Sequence, residues 1–159
     1  MDVNNVAYVP PSGQPGALDT PGSTQLFTLG AVFESADGKK YRYIKYVDAS
    51  GGGPTIASGA PVGFANGNDF EVTGDLSDVT MYNFAGLAQG ALTTTNCYGW
   101  VQFEGPFSAG LKAASDGGIA ANAPVYWSAD LALGTATLGT HWIVGYCRVV
   151  ADTAATTFS

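Results

Sequence analysis

The sequence predicts an all-β protein: a small Gly-rich barrel or sandwich of about eight to ten short strands, with an extended N-terminal arm. Three observations lead there. Short runs rich in β-branched and aromatic residues recur along the chain, and 22 glycines in 159 residues, with asparagines, punctuate nearly every junction between them. Several runs alternate apolar and polar residues with period two. No long window carries a helical period, a possible turn near 107–115 apart.

In chain order, residues 1–24 come first and read differently from the rest. "YVPPSGQPGALDTPGST" holds Pro10, Pro11, Pro15 and Pro21 and has no period. Proline fixes φ and withholds a donor, so this segment is expected as an extended arm outside any sheet. Val6, Tyr8, Val9 and Leu18 give it something to lay against a surface, and a neighbouring subunit is the expected surface. Residues 25–159 then read as one β domain. "QLFTLGAVFES" and "KYRYIKYVDA" flank Asp37-Gly38, a strong hairpin signal. "GGGP" at 51–54 closes that unit. "APVGFA", "DFEVTG", "VTMYNFAGLAQG", "NCYGWVQFEGPF", "APVYWS", "LALGTATL" and "HWIVGYCRVVAD" follow as strands. "IASGAPVGFA" (56–65) is echoed by "IAANAPVYWS" (119–128). In each copy a residue tolerant of φ > 0, Gly59 or Asn122, precedes a proline that opens a strand.

Residues 96–107 pose the central question. Cys97, Gly99, Val101 and Phe103 share one face of the strand, and Tyr98, Trp100, Gln102 and Glu104 share the other. A water-facing strand would not carry Tyr and Trp together on its outer side. That second face covers another layer of the same chain, or it meets a neighbouring molecule.

Composition favours assembly as much as a bland exterior. Only 12% of residues are charged, about half the usual quarter. The net charge of −7 argues against nucleic-acid binding. The one basic cluster, "KKYRYIK", places Arg42 and Lys45 on opposite faces of a strand, so it makes no single stripe. There is no leader-like start and no long apolar run, so neither a signal peptide nor a membrane span is expected. Cys97 and Cys147 lie in separate strand-like runs and are expected as buried thiols, a disulfide between them remaining open.

Candidate chemistry is sparse. His141 is the only histidine and no nucleophile elbow accompanies it. Asp69, Glu71, Asp75 and Asp78 with Asn66 and Asn68 supply oxygen ligands, but EF-hand spacing is absent and a solvated turn is the expectation. Trp100, Trp127 and Trp142 leave a sugar platform open. No enzyme, cofactor or metal is expected.

"FAGLAQGAL", "YGWVQFEGP", the Ala-Pro-Val echo and "HWIVGYCRVVAD" together resemble the small capsid decoration (cement) proteins of tailed bacteriophages, over roughly residues 26–152. The resemblance implies a non-enzymatic virion protein, made in the host cytoplasm, that binds the outside of the mature head. It implies as partners the major capsid protein and copies of itself, as a homotrimer, with no direct nucleic acid and no membrane. Tyr8, Pro10, Pro11, Leu18, Tyr41, Tyr43, Tyr98 and Trp100 are the expected interface residues. Trp100→Ala should then reduce oligomerisation more than folding, and removal of residues 1–24 should leave the barrel's melting intact. A head-fibre or tail-associated module binding host glycans is the alternative.

Overall fold

Asp37-Gly38, the strongest turn signal in the chain, makes the hairpin on which the fold is built. In the computed structural model, which describes residues 8–47, 55–65, 70–75 and 84–107 and the backbone of several later strands, β1 (Val32–Glu34) runs antiparallel to β2 (Lys40–Tyr46). The Gly38 N–H donates to the Ser35 carbonyl at 3.0 Å, and Gly38 takes φ +80°, a conformation open to glycine at little cost. The strand expected from Gln25 begins only at Val32. Upstream of it the chain turns, the Ala31 N–H donating to Thr28, with Gly30 at φ +82°.

Four further strands complete the main sheet: β3 (Pro61–Phe64), β4 (Glu71–Thr73), β5 (Phe84–Ala88) and β6 (Tyr98–Glu104). β2 pairs antiparallel with β6 from Lys40–Glu104 to Lys45–Tyr98. Its other edge is shared: β1 takes the start, and β4 runs parallel to the end through Lys45–Glu71 and Tyr46–Val72. β4 pairs β3, β3 pairs β5, and β5 returns to β6, all antiparallel. The circuit β2-β4-β3-β5-β6-β2 is a closed five-strand barrel, and β1 is an extra strand outside it. Closure removes the free edges that would otherwise invite pairing with other chains.

So narrow a barrel must be filled with small side chains. Ala60, Ala85 and Ala88 pack with Ile44, Ile56, Val62, Val72, Leu92 and Val101, all almost fully buried. Each buried Val, Leu or Ile contributes about 1.5–3 kcal/mol. Cys97 belongs to this core as a free thiol, and burial pushes its pKa up; Cys147 lies outside the described residues.

Beyond the barrel, β8 (Pro124–Ala129) pairs with β9 (Ala132–Gly134) and β10 (Ile143–Tyr146), and β7 (Gly110–Leu111) pairs with β11 (Thr157–Phe158). A short strand therefore stands inside the region read as a possible turn. Both halves of the sequence echo open a strand at their proline, Pro61 in β3 and Pro124 in β8, and Gly59 has φ +82°.

Candidate functional site

Because side chains alternate along a strand, β2 and β6 give the barrel one inner and one outer aromatic face. Tyr43 stands directly opposite Trp100. The two rings meet edge-on at 5.1 Å between centroids, Phe27 lies 5.1 Å from Tyr43 and 5.2 Å from Trp100, and Tyr98 stacks on Tyr43 at 6.3 Å. Pairs of this geometry add about 0.5–1.5 kcal/mol beyond their buried area. Phe33 stacks on Tyr41 at the far end of the layer.

The cover over this layer is the chain's own N-terminal segment. Val9, Leu18, Phe27 and Leu29 pack on Ala31, Tyr41, Tyr43 and Trp100. Three polar contacts fix the segment in register. The Trp100 indole N–H donates to the Gly16 carbonyl at 3.0 Å, Gly22 forms an isolated bridge with Tyr98, and the Leu26 N–H donates to the Tyr43 hydroxyl at 3.2 Å. At Gly90 the segment also comes close. A Cβ there would stand 2.7 Å from the Asp19 carbonyl oxygen and would collide with the Pro21 ring.

The question posed by residues 96–107 thus has an answer within one molecule. Trp100 and Tyr43 are 1% and 2% exposed, and Tyr41 is also buried, so these three do not present free surface to a neighbour. Within the single chain they are covered by the N-terminal segment: period two shows that they leave the barrel core, but the proline-rich segment carries no period to show that it returns over them. Gln102 is buried on the same face with its amide donating to the Pro106 carbonyl at 3.0 Å, and Glu104 pairs with Lys40 at 2.7 Å. Tyr98 is partly covered, Leu18 and Pro10 are half-buried, and Pro11 and Tyr8 are exposed, Tyr8 at 81%. With Leu26, 48% exposed, Tyr8 is a large apolar side chain left facing solvent. Sequence reasoning missed Phe27, Leu29 and Phe33 as parts of the layer. Their signal was the aromatic and aliphatic content of "LFTLGAVF" just ahead of the hairpin.

A cavity of about 400 Å³ remains between Pro15, Pro21 and Leu26 of the segment and Tyr43, Tyr98 and Trp100 of the sheet. Its other walls are Gly, Ala, Ser and Thr, so among the described residues no carboxylate, amine, imidazole or thiol reaches it. Such a lining can hold an apolar side chain or a proline-rich peptide.

The basic hairpin is electrostatically local. Lys39 pairs with Asp37 at 2.8 Å, Lys40 with Glu104 at 2.7 Å and Lys45 with Glu71 at 2.8 Å. Hydrogen bonds from Lys39 and then Ser35 hold Asp37 down to about 2. Burial pushes Tyr41 and Tyr43 above the ordinary phenol range, consistent with their place under the segment. Among the described residues no group of three or more His, Cys, Asp or Glu side chains could hold a metal. His141, Asp69, Asp78 and the side chains of Trp127 and Trp142 lie outside the described residues. No protein-family model, curated protein or solved structure matches the chain.

Proposed function

We propose that this chain is a structural virion protein that binds the outer surface of a tailed-phage head and stabilises the lattice. Its partners in this reading are the major capsid protein and two further copies of itself. The five-strand barrel is the body of a single Gly-rich β domain over residues 25–159, and residues 1–24 are its arm. The observation that carries the reading is the docked segment. It turns the barrel's most aromatic face into a layered platform, with Tyr8 and Leu26 outermost and an apolar cavity at its margin. A surface of that kind suits adhesion more than turnover. Low charge supports the same reading, and a net charge of −7 discourages adhesion to packaged DNA.

Contacts repeated over a lattice need only micromolar strength each, about −8 kcal/mol, because neighbours add avidity. A glycan-binding module is less well supported: Trp100, one of three tryptophans that could floor a sugar site, is covered by the segment.

Co-sedimentation with expanded phage heads tests the proposal. Saturable pelleting with heads, at a fixed ratio to the major capsid protein, is the expected result. A chain that stays in the supernatant at about tenfold above micromolar concentration would contradict it.

A further inference from the structure

Of the four cationic side chains on the β1–β2 hairpin, three lysines each have a carboxylate partner and Arg42 has none among the described residues. Arg42 shares the inner face of β2 with Ile44 and Tyr46, at the end of the barrel interior. Its guanidinium carbon lies 4.4 Å from the Phe103 ring centroid, 5.6 Å from that of Phe70 and 5.9 Å from that of Phe64. Phe64 and Phe70 meet edge-on at 6.2 Å and pack against the barrel core.

Three aromatic rings account for the charge and the flat faces of a guanidinium. They do not account for its edge. Five N–H donors lie in the guanidinium plane, and ring faces are poor acceptors for them. The collar also bears a mark of strain: Phe70 holds φ +53°, an uncommon backbone for a bulky residue. Its ring lies on Gly30, where a Cβ would stand 2.5 Å from Cε2. Burial draws the Arg42 pKa below its ordinary value, the direction expected of a cation short of compensating partners.

We infer that Arg42, with Phe64, Phe70 and Phe103, forms a carboxylate-binding site at this end of the barrel. The fork of a guanidinium matches the two oxygens of a planar carboxylate bidentately. The rings would flank the organic part of the same ligand. A phosphate fits less well, because an apolar collar cannot replace the hydration shell of a dianion. The carboxylate can come from a free organic acid or from an Asp or Glu side chain of another polypeptide. The inference does not depend on the capsid reading.

NMR titration of the intact chain tests it, following the Arg42 Nε–H signal and the amides of residues 42, 64, 70 and 103. Sodium benzoate serves as the free acid, a blocked Ala-Glu-Ala peptide as the side-chain carboxylate, and inorganic phosphate as the competing anion. The expected result is saturable shifts at these signals with benzoate or with the peptide, whichever is tighter naming the source, and weaker binding of phosphate. Arg42→Gln should abolish the shifts. Arg42→Lys, which keeps the charge but not the fork, should weaken binding on the order of tenfold. Absence of saturable shifts in the wild-type chain, shifts that survive Arg42→Gln, or tighter binding of phosphate would each overturn the assignment. The wild-type titration decides even if a variant fails to fold.

Discussion

Trp100→Ala is expected to destabilise the chain by about 3–5 kcal/mol, the range for emptying a buried aromatic site. In a domain of this length that is a fall of roughly 10 °C in melting temperature. The indole is 1% exposed and packed between Phe27 and Tyr43, so its loss leaves a hole between the outer face of the barrel and the segment that covers it. It also strips the Gly16 carbonyl of its donor, freeing one anchor of the covering segment. Sequence reasoning alone expects this substitution to act on oligomerisation; the structure moves its main effect to folding. Thermal melting beside sedimentation velocity separates the two. A lower melting point is the expected result, and an unchanged melting point with a broken oligomer would return Trp100 to an interface between subunits.

Removal of residues 1–24 carries the second large effect. An arm reaching a neighbour could be lost without harm to the barrel, but a segment covering its own aromatic layer cannot. Truncation takes away Leu18, the Gly16 acceptor and the Gly22 bridge to Tyr98. Tyr98 and Trp100 lose part of their cover, each to the extent of some fraction of the about 1.5–3 kcal/mol for a full exposure of a large apolar side chain. Regained freedom of the deleted backbone offsets part of that loss. The expected outcome is a lower melting temperature, weakened near-ultraviolet circular dichroism and strong binding of an apolar dye. A truncated chain that melts with the full-length one and binds no dye would show that the segment covers nothing.

How far the sequence foretold this follows from the range of the interactions involved. Asp37-Gly38 announces its hairpin because a two-residue turn signal is local. Pro61 and Pro124 mark strand starts because a missing N–H is cheapest there. Period two divided the faces of β6 correctly, with Val101 inward and Trp100 outward. Barrel closure was not legible in detail, since the parallel pairing of β2 with β4 depends on contacts between distant segments and leaves no periodic trace. Nor was the return of the proline-rich segment. The residue that admits it, Gly90, reads in sequence as an ordinary loop glycine, and only its approach to Asp19 and Pro21 gives it meaning. Arg42 was read as one charge in a basic run. Its three phenylalanines come from β3, from the residue just before β4, and from β6, so only the fold brings them together.

Hydrogen exchange at the Trp100 indole bears most directly on the claim that the N-terminal segment seals the aromatic face of its own barrel. The account predicts an indole N–H protected as well as neighbouring strand amides, and equally so at every protein concentration, since both donor and acceptor belong to one chain. Exchange at the rate of a free indole while β2 and β6 stay protected, or protection that fades on dilution, would contradict it.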